Sequence, residues 1–562
     1  MAAVNVCIGG EAGQGLVTVG ALITKALVRS GYEINVYQDY LSRIRGGHNT
    51  YRVRFGPDPV LAPCEAIDVL VCLGKETFPL FRDSLSERAV VVAGEDMAVD
   101  WPRVFRVPFK DLAGKAIYEN TVALGVLAST ICLDVAVLEE LLDDTFRKKG
   151  DKIVAANVEV LRRSFAWKEG QESIFECPAP PAGTRGRMAL NGNEAIALGA
   201  MAAGCNFVSF YPMTPSTSVP LTLIQHAQET GVVVEQAEDE IAAINMVLGA
   251  SYAGARALTA TSGGGFALMC EGVSLAGMIE QPLVIVLAMR PGPATGLPTR
   301  TEQGDLNLAL YSGHGEFPRA ILSPGTAEQC FWLTHRAFDQ AEKWQGPAFV
   351  LTDQYQADCY SAVRPFDLDA LPPVSAPLQK PDDEEGYVRF APNEETGVSP
   401  RALPGLSKAL VVVDSDEHTP DGHITEDLGV RTAMVHKRAK KLDGLRADAL
   451  APEYFGHEQP KTLLVCWGST RGAALEAMER LSASGETAGV LHFGQVYPLR
   501  PNDFLHRFEK AGRVVCVEGN LTGQFADLVH RESGYRIERK VLRYDGAPFT
   551  PEYILAGLAG LE

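Results

Sequence analysis

Residues 235–265 read EQAEDE, IAAINMVLGASY, AGAR, ALTAT and SGGG, with Glu240 closing the acidic run and Gly263, Gly264 and Gly265 closing the stretch. The block at 241–252 is apolar around most of its circumference, which predicts a helix packed inside the protein. ALTAT at 257–261 predicts a short buried strand, and the glycines after it predict a tight turn into another helix. VVVEQ at 232–236 predicts a strand before the acidic run. Strand, helix, strand, glycine turn and helix in succession define an open α/β sheet.

The alternation extends in both directions. Residues 194–204 predict a helix, 207–210 a strand and 211–215 a turn; 282–287 and 348–351 predict further strands. Between them, residues 290–315 form a long loop rich in Gly, Pro and Thr, and a loop of that length is usually functional or disordered. This α/β domain is assigned residues 188–365. Residues 1–166 form another α/β domain, with strands at 4–8, 34–37, 69–73 and 89–93 and a helix after the glycine-rich turn at 9–15. The alternation predicts a doubly wound, mostly parallel sheet there. Residues 167–187, rich in Pro, Gly and charge, read as a linker. Residues 366–460, rich in Pro, Asp, Glu and Lys, read as an extended connecting segment with little core. A third α/β domain occupies 461–562, with strands at 462–466, 489–493 and 514–517. The fold class is therefore α/β with three open domains.

Composition narrows the function. The 562 residues carry a formal net charge of −19, which argues against nucleic-acid binding as the main task. Apolar residues are 46% and charged residues 22% of the chain, as in ordinary soluble proteins. No apolar run reaches the ~20 residues that span a bilayer. The first residues, MAAVNVCIGG, show no basic start followed by a long apolar segment. A cytoplasmic protein with no membrane role is expected. Eleven cysteines are scattered without a C-x-x-C pair. They read as unpaired thiols of a reducing compartment, and a cluster held by this chain alone is not expected.

Five constellations carry candidate chemistry. GGEAGQG at 9–15 lets backbone N–H groups approach a phosphate at a helix start, or simply makes a tight turn. It lacks the G-x-G-x-x-G order of a dinucleotide site and the G-K-[ST] of a P-loop, which disfavours a nicotinamide-dependent dehydrogenase. SRIRGGHN at 42–49 sets Arg43 and Arg45 beside two glycines, as an anion holder or as a solvated turn. YPMTPST at 211–217 is a proline-stiffened hydroxyl turn at a strand end, suited either to a carboxylate or carbonyl oxygen or to opening a helix. Of the acids at 235–240, one or two suit a helix N-terminus. Glu240 stands among Ile241, Ala242, Ile244 and Met246, where burial raises a carboxyl pKa and lets it share a proton with a ligand nitrogen. Arg300, in GLPTRTEQGDL at 296–306, is either a fork for a substrate carboxylate or a surface arginine.

Taken together and in this order, these motifs resemble the 2-oxoacid:ferredoxin oxidoreductase family. YPMTPST, EQAEDEIAAINMVLGASYAGARALTATSGGG and GLPTRTEQGDL resemble its thiamine pyrimidine-binding domain. TGVSPRALPG at 396–405, SDEH at 415–418 and VEGNLTGQ at 517–524 are similar to its inter-domain segment and its transketolase C-terminal-like domain. GGEAGQG and SRIRGGHNTYRVRFG resemble its γ-type domain. The resemblance covers nearly the whole chain. It departs at Gly519, where the family usually has a bulkier residue, and that questions the local packing of the domain junction.

The resemblance implies an α subunit with a fused γ-type domain, catalysing CoA-dependent oxidative decarboxylation of a 2-oxoacid with electrons passed to ferredoxin. Glu240 is implied to hydrogen-bond the aminopyrimidine of thiamine diphosphate. Thr214 and Arg300 are implied to contact substrate. Because the γ domain is associated with closing over CoA, Arg43, Arg45 and Asn49 are CoA-side candidates. No metal ligand is expected on this chain. The family's Gly-Asp-Gly diphosphate and Mg²⁺ motif is missing, since Gln303-Gly304-Asp305-Leu306 and Tyr544-Asp545-Gly546 do not fit it. A β subunit is therefore implied to bring the diphosphate site, Mg²⁺ and a [4Fe–4S] cluster, in an (αβ)₂ heterotetramer. The motif wording and the γ–α fusion favour 2-oxoglutarate as substrate, over pyruvate or branched or aryl 2-oxoacids. A non-catalytic scaffold subunit is the competing reading.

Overall fold

The computed structural model describes residues 3–561 apart from 12–14, 42–46, 173, 177, 179–185, 382–386 and 407. Two compact units result: Met1–Asn191 with Asp358–Phe366 and Thr550–Tyr553, and Gly192–Ala357 with Asp367–Phe549 and Ile554–Glu562.

The first unit is built on an eight-stranded sheet. Val4–Glu11, Ile67–Cys72, Leu85–Gly94 and Val104–Val107 run parallel, as the alternating sequence predicts. The other half departs from the expected mostly parallel sheet. His48–Gly56 pairs antiparallel with Val4–Glu11 and with Glu33–Asp39, and Tyr360–Val363 and Met188–Leu190 extend that antiparallel edge. The cause is local. Only eight residues separate Glu33–Asp39 from His48–Gly56, too few for the crossover a parallel pair needs. Within the second strand, buried Tyr51, Val53 and Phe55 alternate with Arg52 and Arg54, the period-two signature of a strand with one apolar face.

The second unit holds two sheets. The larger contains Pro347–Asp353, Leu283–Met289, Ala257–Thr261, Phe207–Phe210 and Val233–Gln236 as adjacent parallel strands in that order. Such strands are buried on both faces, which is why LVIVLAM at 283–289 is a continuous apolar run. Helix Glu240–Tyr252 packs on this sheet through Ile244, Val247 and Leu248. Leu306–Tyr311 forms a short helix inside the expected long loop. The smaller, five-stranded sheet is centred on Thr462–Trp467, Ala488–Phe493 and Arg513–Glu518. Its core is continuous with that of the larger sheet: Leu463, Val465, Trp467 and Phe525 share one apolar cluster with Ile244, Phe266 and Leu287. The chain from the C-terminal region also lends the larger sheet an edge strand, Gln495–Tyr497, antiparallel to Ala320–Leu322.

The 366–460 stretch is more ordered than its composition suggests. Leu428–Ala447 is a helix whose buried face is Met434, Lys437, Arg438, Lys441 and Leu445. Their three- and four-residue spacing is that of a core-facing stripe, but three of the five are cationic, so hydrophobic periodicity does not reveal it. Lys437 Nζ and Lys441 Nζ meet the fully buried Glu280 carboxylate at 2.7 and 2.8 Å. Arg389 Nη2 donates to the Glu280 backbone oxygen at 2.8 Å. Burial alone raises the Glu280 pKa, but Lys441, Lys437 and Arg389 outweigh it and hold the carboxyl well below the usual range.

Among the described residues nine cysteines are free, seven of them buried. Burial pushes thiols such as Cys205 and Cys466 up to about 12, so they stay protonated. Cys132 is disulfide-bonded, against the expectation of unpaired thiols throughout. No described helix is long and apolar enough to cross a membrane.

The Glu280 cluster yields a stability prediction. Glu280→Gln leaves three buried cations without their counter-charge, which costs about 3–5 kcal/mol. A lower denaturant midpoint at unchanged slope is the expected outcome.

Candidate active site

Ligands of open α/β sheets bind beyond the carboxyl ends of the strands. In the second unit five neighbouring parallel strands each deliver a functional group there. Val233–Gln236 leads to Glu240, Phe207–Phe210 to Thr214, Ala257–Thr261 to the glycines 263–265 and Leu283–Met289 to Arg290, while Pro347–Asp353 ends on Asp353.

The four acids before the Glu240–Tyr252 helix separate by role. Glu235 and Glu238 are exposed. Asp239 is the N-cap, its carboxylate accepting from Ala242 N at 2.7 Å. Glu240 is 3% exposed, and its Oε1 has no hydrogen-bond partner among the described residues. Burial, with a smaller contribution from Asp239, raises its pKa. The carboxyl lies against the glycine turn: a β carbon at Gly265 would stand 2.3 Å from both Glu240 Oε1 and Thr261 Oγ1. Only a residue without a side chain fits there.

Thr214 sits in the expected turn, half-buried, before a cis Thr214–Pro215 bond. Two groups brace the turn from outside. Asn193 Nδ2 donates to Pro215 O at 2.8 Å, and Arg290 Nη1 donates to Thr214 O at 2.6 Å. The backbone is thereby fixed while the Thr214 hydroxyl stays out of these bonds.

Arg300 is half-buried, its Cβ packed against Gly546. The loop bearing it is tied down on both sides. Thr301 Oγ1 donates to Asp353 Oδ1 at 3.0 Å, and Ser469 donates to the other oxygen of the same buried carboxylate. Gln303 Nε2 donates to Trp467 O at 2.9 Å, its Oε1 accepts from Gly519 N at 2.8 Å, and Asn520 Nδ2 donates to Gln303 O at 3.1 Å. A β carbon at Gly519 would lie 3.3 Å from Gln303 Cγ. The missing side chain at Gly519 is what lets Gln303 seat so closely. Sequence reasoning did not single out Arg290, Gln303, Asp305 or Asp353. A visible signal existed for Arg290 and Asp353, each a charged residue ending an otherwise apolar strand.

The CoA-side candidates belong to the first unit. Asn49 lies in strand His48–Gly56, and its Oδ1 accepts from Leu41 N at 3.1 Å. Arg43 and Arg45 lie outside the described residues. The first unit also contains a cavity of about 1000 Å³ lined by Glu11, Gly15, Gly74, Lys75, Gly94 and Lys110 among others. It opens at the carboxyl ends of Val4–Glu11 and Ile67–Cys72; the first of these strands runs on through Gly9 and Gly10 to Glu11, past residue 8 where the sequence placed its end, and residues 12–14 lie outside the described residues.

Comparison with known proteins gives this geometry a class. Residues 198–437 match the family described as pyruvate flavodoxin/ferredoxin oxidoreductase, thiamine diP-bdg; residues 5–167 match pyruvate ferredoxin/flavodoxin oxidoreductase; and residues 455–553 match the transketolase C-terminal domain. The chain is 32% identical to a 2-oxoacid:ferredoxin oxidoreductase subunit alpha from Sulfolobus sp, over 96% of this chain and 94% of that one. It is 29% identical to the 2-oxoglutarate oxidoreductase subunit KorA of Mycobacterium tuberculosis, over 98% and 91%. Among solved structures it matches the 2-oxoglutarate:ferredoxin oxidoreductase from Magnetococcus marinus with 2-oxoglutarate, coenzyme A and succinyl-CoA bound. The TM-score is 0.93 and the identity 30%, covering 100% of this chain and 99% of that one. These likenesses define a thiamine-diphosphate-dependent oxidoreductase. The chain belongs to the 2-oxoacid:ferredoxin oxidoreductase family, as an α subunit with pyruvate-oxidoreductase, thiamine-binding and transketolase C-terminal regions.

The glycine turn yields a prediction. Gly265→Ala drives a methyl group into Glu240 and Thr261, so the carboxyl must move. Turnover of the assembled enzyme is expected to fall at least tenfold, about 1.4 kcal/mol of transition-state stabilisation, with helix content by circular dichroism unchanged.

Proposed function

We propose that this chain catalyses, with a β subunit, the CoA-dependent oxidative decarboxylation of a 2-oxoacid, with 2-oxoglutarate as the preferred substrate, succinyl-CoA as product and ferredoxin as electron acceptor. The observation that carries the reading is the Glu240 carboxyl: buried, raised in pKa, with a partnerless oxygen packed against the Gly263–Gly265 turn. That donor set fits an aminopyrimidine, whose ring nitrogen takes a hydrogen bond from a protonated carboxyl. Bound thiamine diphosphate supplies a carbon nucleophile and an electron sink for decarboxylation.

The chain's own residues then have distinct tasks. Glu240 holds a proton at its carboxyl and exchanges it with the ring nitrogen. Arg300 forks onto the substrate carboxylate from a loop clamped at Thr301 and Gln303. Thr214 turns its hydroxyl to the substrate from a turn braced by Arg290 and Asn193. Arg43, Arg45 and Asn49 serve CoA, and the first unit's cavity lined by Glu11 and Gly15 is where its nucleotide end would lodge. The domain assignment that goes with these tasks is 1–166, 188–365 and 461–562, joined by 167–187 and 366–460.

A partner is needed on chemical grounds. The chain has no Gly-Asp-Gly sequence. The β subunit supplies the diphosphate site, Mg²⁺ and the [4Fe–4S] cluster, in an (αβ)₂ assembly in the cytoplasm. Support comes from the surface around Glu240. Ile241, Met246, Leu221, Ile224 and Val233 are 38–56% exposed there, and Val233–Gln236 is the edge strand of its sheet. An apolar, edge-exposed face of this kind is what an obligate partner covers.

Two variants test the assignment in the assembled enzyme. Glu240→Gln keeps shape and hydrogen bonding but removes the exchangeable proton, and a loss in kcat of about 10²-fold or more is expected. A scaffold subunit would show no loss, which overturns the reading. Arg300→Ala is expected mainly to raise KM for the 2-oxoacid while kcat changes less.

A further inference from the structure

Asp305 has no part in the reaction as described so far, yet its surroundings are those of a working group. It occupies the N-cap position of the Leu306–Tyr311 helix, where aspartate normally accepts from free helix N–H groups. Its side chain makes no such bond. Its Oδ2 is buried with no hydrogen-bond partner among the described residues. The carboxyl lies flat on the glycine turn instead: a β carbon at Gly263 would stand 2.5 Å from Oδ2 and 2.7 Å from Oδ1. The turn therefore carries a carboxyl at each end, Asp305 at Gly263 and Glu240 at Gly265.

The charged groups facing Asp305 are few. Arg290, at the end of the neighbouring strand, favours its ionised form, and Glu302 shares its loop. The helices Gly263–Leu268 and Leu306–Tyr311 bear no charged side chain, and Gln524, which donates to Gly304 O, is neutral. Burial outweighs Arg290 and pushes Asp305 up to about 6; burial, with the Asp305 charge, takes Glu302 to about 6 as well.

A 2-oxoacid presents only acceptor oxygens next to its reacting carbon. An ionised Asp305 would set acceptor against acceptor and like charge against like. A protonated one donates a hydrogen bond, and an approaching anion strengthens its hold on the proton. Resting on the functional reading above, we propose that Asp305 is a further catalytic residue that touches the 2-oxoacid and binds it in protonated form. One proton, taken from solvent on binding and returned on release, lies between the Asp305 carboxyl and the substrate carboxylate. Arg290, anchored to Thr214 O, is the fixed positive charge beside them.

The test uses the assembled enzyme loaded with thiamine diphosphate and CoA, with 2-oxoglutarate as substrate, across about pH 5.5–8.5. Below about 6 the free carboxyl already holds its proton, so KM is flat; above it the proton must be recruited, and KM rises up to about tenfold per pH unit. Asp305→Asn keeps a donor that does not titrate, so its KM is expected to stay nearly level over the range. Asp305→Ala raises KM about tenfold or more at about pH 5.5–6, and with nothing to titrate its KM stays nearly level above that, so the gap from wild type closes as pH rises. A second readout is independent of turnover. Calorimetry in buffers of different ionisation enthalpy measures protons taken up on binding a succinylphosphonate monoester, a mimic that cannot lose CO₂. At pH 7.5 the wild type should take up close to one proton more than Asp305→Asn. An active enzyme with a flat KM profile, or an Asn variant that keeps the wild-type slope and proton count, overturns this inference alone. An assembled enzyme that turns over no 2-oxoacid overturns the functional reading and this inference with it.

Discussion

The second unit depends on one close approach, the Glu240 carboxyl against the backbone at Gly265. A buried carboxyl with a partnerless oxygen is costly, and it persists only where surrounding packing leaves it nowhere else to go. Ile244 and Val247 on its own helix and Phe266 just past the glycines supply that packing. Across the turn, Gly272 has room for no side chain, because a β carbon there would meet Ile244 Cγ2 at 2.7 Å. Helix, turn and sheet are thus pressed together around one acid. Its raised pKa comes first from this burial, with the neighbouring Asp239 adding to it.

The C-terminal sheet completes the arrangement from the far side of the loop that bears Arg300. Asp353 joins Thr301 to Ser469, and Gln303 joins the loop to the Trp467 carbonyl and to Gly519 and Asn520. Glu518 is held in turn by Trp467 Nε1, Asn520 Nδ2 and the Phe525 backbone N–H, so the 517–520 turn is itself rigid. Two motifs more than two hundred residues apart in the chain become a single clamp. The shared apolar cluster across the two sheets keeps the clamp from opening. A loop held this way can present Arg300 at a fixed place without the entropy cost of ordering it at each binding event.

Much of this was legible in the sequence because the central strands and helices obey simple periodicities. ALTAT at 257–261 and EIAAINMVLGASY at 240–252 fold as their patterns predict. Glu240 stood out as an acid among apolar residues, and Thr214 and Arg300 as groups on proline-stiffened segments. The failures share a cause: side chains used against their usual preference. Lys437, Arg438 and Lys441 face inward, so a twenty-residue helix read as a connection. Asp305 forgoes the N-cap bond its position invites, so nothing in its local sequence marked it. Arg52 and Arg54 interrupt their strand, alternating with the buried Tyr51, Val53 and Phe55, and the antiparallel half of the first sheet went unseen. Contacts such as Gln303 with Gly519 have no local signature at all, since each is set by where two distant segments meet.

The charges at the strand ends also bear on how an anionic substrate is received. Glu240, Glu302 and Asp305 bring three carboxyl groups to this edge, against Arg290 and Arg300. Were all three ionised, the edge would repel a 2-oxoacid, and the two arginines would be largely offset before it arrived. Burial changes that balance. Each of the three carboxyls is raised above its ordinary value by desolvation first, with neighbouring acids adding to the effect for Glu240 and Glu302. Removing water therefore brings all three closer to proton uptake, so an approaching anion meets acids that accept a proton more readily than ordinary carboxyls do. A partner surface laid over exposed Ile241, Met246 and Val233 withdraws still more water, so assembly and acid strength are physically coupled.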